Sequence, residues 1–196
     1  IGGGKEFYNG VIENSLRFND GDSASLTRTP ANSDNRKTFT FSAWHKRTDL
    51  AVTTTLFSGY VDGTNFFDIR FRQTSDDGKL EILNYSGSYD LRIHPALLLR
   101  DISAWYHIVV VVDTTKVVST DRVDVYINGK ILTDFTTETQ PSQNFETDVN
   151  NTNAHYVGSL ASGNYLDGYI TDVYLVEGYA LGPENFGEYK EGVWIP

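Results

Sequence analysis

The chain has 196 residues, no cysteine, and 26 acidic against 16 basic side chains, for a net charge of −10; the excess lies in residues 101–196, where 14 acidic residues face 4 basic ones. The missing thiols exclude disulfides, cysteine-ligated metals and thiol nucleophiles, and an acidic surface repels a phosphate backbone, so nucleic acid is not an expected partner. No apolar run approaches the roughly 18 residues of a membrane-spanning helix, so no membrane insertion is expected.

The chain starts Ile1-Gly2-Gly3-Gly4 and contains no methionine. The expectation is a piece excised from a longer protein and forming a single domain over 1–196. Its length suits one large sandwich with a substantial core. Asn19-Asp20-Gly21 is the first turn signal. Thr38 to Trp44 alternates strictly. Phe39, Phe41 and Ala43 face a core, and Thr38, Thr40, Ser42 and Trp44 face away. Further alternating runs follow. Phe67, Ile69 and Phe71 interleave with Asp68, Arg70 and Arg72, and Leu80 and Ile82 flank Glu81. Turn signals at Asp62-Gly63, Asp76-Asp77-Gly78 and Ser86-Gly87 separate the runs.

Trp105 to Asp113 contains a β-branched run long enough for one buried strand. Val123, Val125 and Ile127 alternate with Asp124 and Tyr126, and Asn128-Gly129 is a strong hairpin signal. Residues 133–153, rich in Thr, Asn, Gln and Asp, read as one long surface loop. After Asp167-Gly168, residues 169–176 are apolar on both faces, as expected of a central strand. Gly182-Pro183-Glu184-Asn185-Phe186 suits a short helical turn. Many short strands with regular turns define an all-β antiparallel β-sandwich or jelly roll.

Four segments then carry a family resemblance, running from residue 15 to about 190. Ser15 to Asp22, Phe39-Thr40-Phe41-Ser42-Ala43-Trp44, the pair Trp105–Val110 and Val125–Gly129, and Leu166 to Tyr174 together resemble the laminin-G-like jelly rolls of the concanavalin A-like lectin/glucanase superfamily. The end of the chain, Phe186 to Pro196, resembles modules of marine phage structural or tail-fibre-like proteins. The resemblance implies glycan or protein binding without chemistry, on an extracellular or virion-surface protein.

The residues themselves agree with a non-catalytic module. No Glu-x-Asp-x-x-Glu run places an acid and a nucleophile on one strand face. The Gln, His, Arg and Tyr set of the superfamily's lyases is incomplete, and no Gly-x-Ser-x-Gly elbow exists. His107 sits in an apolar strand and reads as structural, while His45, His94 and His155 lack metal-ligand spacing. Trp44, Asp68, Arg70, Tyr85, Arg92 and Tyr126 lie on faces opposite the core. Aromatic rings cover the apolar faces of sugars, Arg bonds hydroxyls or carboxylates, and Asp bonds hydroxyls. Tyr60, Asn65 and Tyr89 extend this set into recognition-type loops. For a metal, Asn19, Asp20 and Asp22 form an oxygen-rich turn that suits Ca2+, and Asp148, Asn150, Asn151 and Asn153 form a second. Asn84-Tyr85-Ser86 and Asn150-Asn151-Thr152 match the glycosylation sequon. The leading reading is a polysaccharide-binding, lectin-like module. The alternatives are a structural module that holds other subunits and, more remotely, a glycan hydrolase or lyase.

Overall fold

A computed structural model describes residues 12–73 and 78–196. Asp76 and Asp77, read above as part of a turn, lie outside the described residues. In chain order the strands are β1 (Leu16–Phe18), β2 (Leu26–Arg28), β3 (Thr38–Arg47), β4 (Thr54–Asp62), β5 (Asn65–Phe71), β6 (Leu80–Ser86), β7 (Tyr89–Pro95), β8 (Tyr106–Asp113), β9 (Val123–Ile127), β10 (Lys130–Ile131), β11 (Phe135–Thr139), β12 (Ala154–Val157), β13 (Gly168–Glu177), β14 (Glu188–Lys190) and β15 (Val193–Ile195). Two antiparallel sheets form the body. The first runs β1-β13-β3-β8-β9-β10 and the second runs β11-β7-β6-β5-β4-β12-β2, with β14-β15 as a separate pair.

Period-two alternation builds the core. On the first sheet Phe41 pairs with Val110 and Ala43 with Ile108, so their side chains share the inner face. On the second, Ile69 pairs with Ile82, and Ile82 with Ile93. These sets meet in one buried cluster that also takes in Phe39, Phe67 and Phe71. Phe39 and Phe67 meet edge to face with centroids 5.7 Å apart, a favoured arrangement for aromatic quadrupoles.

Three expectations change. Residues 133–153 are not all loop, because β11 pairs with β7 along the edge of the second sheet. Its side chains are mostly exposed, which gave it a loop-like composition. The strand read as central, β13, is flanked by β3 along its length but by β1 only over residues 168–170. Past its bulge at Asp172, where φ is +49°, β13 has an open edge among the described residues. Third, the outer face of β3 is not solvated. Thr40, Ser42 and Trp44 are buried because the chain after β13 folds back across them. Thr40 Oγ1 donates to the Tyr179 carbonyl (2.9 Å) and accepts from Leu181 N–H (2.8 Å). The helical turn at Pro183–Asn185 forms as expected, as one 3-10 turn.

The Asn128-Gly129 turn shows how this return is seated. Asn128 has φ +49° and Gly129 φ +76°, the two positive values a tight hairpin needs. A Cβ at Gly129 would stand 2.5 Å from Trp194 Cε3. Gly129→Ala is therefore expected to cost about 2 kcal/mol, from the left-handed backbone and from displacing Trp194. Thermal melts of the variant check this, and an unchanged Tm would show that Trp194 moves aside freely.

Candidate functional site

The outer face of the second sheet gathers the polar side chains that alternation sends away from the core. Tyr60, Phe66, Tyr85 and Tyr89 are partners on the adjacent strands β4, β5, β6 and β7. Their rings form a continuous row, with centroid separations of 6.5, 5.7 and 5.2 Å. Tyr89 is the most open of them, at 43% exposure. The flanking turns are tied internally. Asn65 Nδ2 donates to Asp62 Oδ1 at 2.9 Å, and Ser86 Oγ donates to Asp90.

Beside the row lies a charged cluster centred on Glu81. Arg92 Nε donates to Glu81 Oε1 at 2.7 Å, and Arg70 Nε donates to Oε2 at 2.8 Å. Arg72 Nη1 stands 3.6 Å from the same oxygen. Arg70 Nη1 also reaches Asp68 Oδ2 at 3.5 Å. Both carboxylate side chains are fully enclosed, while the three arginines keep 16–25% of their surface open. The Arg92 guanidinium lies 4.5 Å above the Tyr89 ring, a cation–π contact that joins cluster and row.

Burial pushes Asp68 up to about 7, against the pull of Arg70. The Thr55 hydroxyl beside it bonds the carboxylate and pulls in the same direction as Arg70. Burial also works to raise Glu81, but Arg70 and then Arg92 outweigh it and hold its carboxyl below the usual range. Two carboxylates on one face thus differ because only Glu81 is clasped by several guanidiniums.

Asp68, Arg70, Tyr85, Arg92, Tyr60 and Tyr89 share this face, with Asn65 at its border as the first residue of β5. Phe66 and Glu81 complete it; the sequence carries the signal for both in their alternation with Phe67 and Ile82. Trp44 and Tyr126 do not belong to it. Both sit on the outer face of the first sheet, where Trp44 is 4% exposed and stacks on His107 at 4.8 Å.

The oxygen-rich turns are mostly bonded within the protein. Asn19 Oδ1 accepts from Gly21 N–H (3.2 Å), and its amide donates to Asp22 Oδ2 (3.0 Å). Asp148 accepts from Asn84 Nδ2 at 3.1 Å, and Asn150 Nδ2 donates to the Asn35 carbonyl at 2.7 Å. Asn151 Oδ1 accepts from Thr152 N–H, and Asn153 Nδ2 reaches the Asp148 carbonyl at 3.4 Å. Among the described residues no group of three or more His, Asp or Glu is arranged to hold a metal ion. Asn84 and Asn150 are buried, so neither sequon offers an accessible amide. His107 is structural, as expected. Trp194 Nε1–H donates to its Nδ1 at 2.9 Å, which leaves Nε2–H to bond Ser42 Oγ at 2.9 Å.

Two antiparallel sheets around one apolar core, with a polar outer face on the second, define a lectin-type jelly roll. The laminin-G family profile, described as the Concanavalin A-like lectin/glucanases superfamily, matches residues 19–185, and the chain belongs to this family. A search of curated protein sequences finds no match. Among solved structures, the chain is similar to domain 4 of AbnA, an extracellular arabinanase of Geobacillus stearothermophilus in complex with arabinotriose. Identity is 21% and the TM-score 0.55, over 77% of this chain and 65% of that one. It is also similar to mouse laminin alpha1 domains LG4-5, with 13% identity and TM-score 0.57, over 89% of this chain and 44% of that one. A third is the Ruminococcus gnavus sialidase CBM40 bound to alpha2,3 sialyllactose, with 11% identity and TM-score 0.52, over 83% and 96%. The chain thus spans less than two thirds of the first and less than half of the second.

Proposed function

We propose that the protein is a non-catalytic glycan-binding module whose site is the outer face of the second sheet. The observation that carries this is the aromatic row Tyr60–Phe66–Tyr85–Tyr89 with the Arg92 guanidinium against its Tyr89 end, on the same face as Arg70. The row supplies stacking area for sugar rings, and the guanidiniums supply forked donors for hydroxyls or carboxylates. Similarity to modules solved with arabinotriose and sialyllactose supports the reading. The enclosure of Asp68 and Glu81 supports the absence of chemistry, because substrate has no path to either carboxylate. An extracellular or virion-surface setting is part of the proposal, supported by similarity to an extracellular arabinanase and to the bacteriophage CBA120 tailspike protein 2. No helix among the described residues is long and apolar enough to cross a membrane.

The test is a glycan array with and without calcium, including uronate-rich and sulfated polysaccharides. The calcium arm addresses the turn at Asn19, Asp20 and Asp22. Tyr89→Ala and Arg92→Ala are each expected to weaken binding about tenfold, a loss of ~1.4 kcal/mol. Tyr89 is exposed, so its variant should keep Tm within about 2 °C. Binding unaltered in both variants removes the site from this face.

A second reading, a module that holds another subunit, has its own observation. A cleft of about 610 Å3 lies along the open edge of β13, with Phe41, Phe57, Val173 and Leu175 in its walls. A blank array together with tight subunit association favours that reading.

A further inference from the structure

All three tryptophans of the chain line one pocket on the opposite side of the molecule. Trp44, Trp105 and Trp194 surround a volume of about 520 Å3 together with Tyr189, Asn128 and Lys130. This lies within the roughly 300–1,000 Å3 of small-molecule sites. One wall comes from residues 189–196, beyond the family match that ends at residue 185. The pocket therefore does not depend on the face proposed above.

The walls are braced. Trp44, His107 and Trp194 stack in sequence, with centroids 4.8 and 5.8 Å apart. Trp194 rests on Gly129 and Gly187, where a Cβ would stand 2.5 and 2.8 Å from its ring. Tyr189 meets Trp194 edge to face at 4.8 Å and donates its hydroxyl to the Asn128 carbonyl. Trp194 gives its indole N–H to His107 and so presents only a ring. Trp44 differs: it is 4% exposed, and its Nε1–H is buried with no partner. A buried donor left unpaired is destabilising.

We infer that this pocket is a second carbohydrate site, taking a pyranose ring of a neutral glycan. Aromatic walls match the C–H face of a pyranose. Lys130 in the lining can donate to a ring or hydroxyl oxygen. The lining holds one charged side chain, Lys130, and no carboxylate side chain.

The test is a titration of the full chain with cellotriose, xylotriose and maltotriose in turn, read by tryptophan emission and by the three indole N–H signals in NMR. The expected result is a saturable emission change with at least one trisaccharide, with the Trp44 indole signal moving. Trp105→Ala weakens the response at least tenfold, and Trp105→Phe restores part of it. The double variant Tyr89→Ala/Arg92→Ala keeps the response, which separates this site from the one on the second sheet. Loss of the response in that double variant overturns the inference, as does full binding by Trp105→Ala. Silence of all three indole signals with every trisaccharide also overturns it, and that readout needs no variant to fold.

Discussion

Glu81→Gln is expected to lower stability by about 3 kcal/mol, because it removes the one carboxylate that Arg70, Arg72 and Arg92 share. The change keeps the shape and deletes the charge, so packing does not enter. Arg70 and Arg92 then stand on one face, with Asp68 enclosed beside Arg70. Breaking such a pair costs more than forming it gains, since the partners stay half-buried without their counter-charge. For a chain of this length the loss corresponds to a Tm lower by roughly 10 °C. The variant also shifts Asp68, because Glu81 repels a charge there and Arg70 is freed to pair with it. The Asp68 carboxyl should move down toward the ordinary range. Thermal melts check the first effect, and side-chain carboxyl NMR the second. A Tm change under about 2 °C would mean that the cluster behaves as exposed surface ion pairs do.

The same cluster shows how far the sequence alone carries the site. Alternation around Phe67, Ile69 and Ile82 assigns Asp68, Arg70 and Glu81 to a face opposite the core, and the pairing of β5 with β6 brings them together. The same rule sends Trp44 and Tyr126 away from the core. A sandwich, however, has two outer faces, and period two does not say which sheet a strand joins. Nor does it say what lies over a face. The cover on Thr40, Ser42 and Trp44 comes from residues more than 130 positions later, through contacts such as Thr40 with Tyr179 and His107 with Trp194. The local alternation of Thr38 to Trp44 is the same whether water or a folded-back tail lies above it. The hairpin at Asn128-Gly129 was legible because its signal is local: two residues that tolerate positive φ between apolar runs. The second role of Gly129, making room for Trp194, needed the structure. The edge strand β11 was hidden for a related reason, since its outward side chains are those of a loop.

His45 and His107 make the fold acid-sensitive in a way that can be assigned to single residues. Both are fully buried. Burial drives His45 down to about 3, partly offset by the Tyr169 carbonyl, and drives His107 down to about 4. Their ordinary value of 6.5 applies in the unfolded chain. Above that value both states are neutral and nothing is lost. As pH falls below 6.5 the unfolded chain takes up protons that the folded chain refuses, so stability declines until each folded value is passed. The loss reaches roughly 3 kcal/mol from His107 by pH 4 and roughly 5 from His45 by pH 3. Asp68 acts in the opposite sense. Its carboxyl, raised to about 7 from 3.8, binds a proton in the folded state first and returns roughly 4 kcal/mol over that window. Glu81, held low, adds a loss below its ordinary 4.5. The expected net result is a fall in stability from pH 6.5 to 3, read as a lower urea midpoint. His107→Gln cannot titrate, so its curve should be flatter than that of the parent by about 3 kcal/mol between pH 6.5 and 4. His107 also holds the returning chain, since its neutral Nδ1 accepts from Trp194 and a protonated ring would confront one donor with another. The Trp194 indole signal should therefore move as the pH approaches 4, before the core strands open. Parallel urea curves for the parent and His107→Gln over that range would assign the acid response elsewhere.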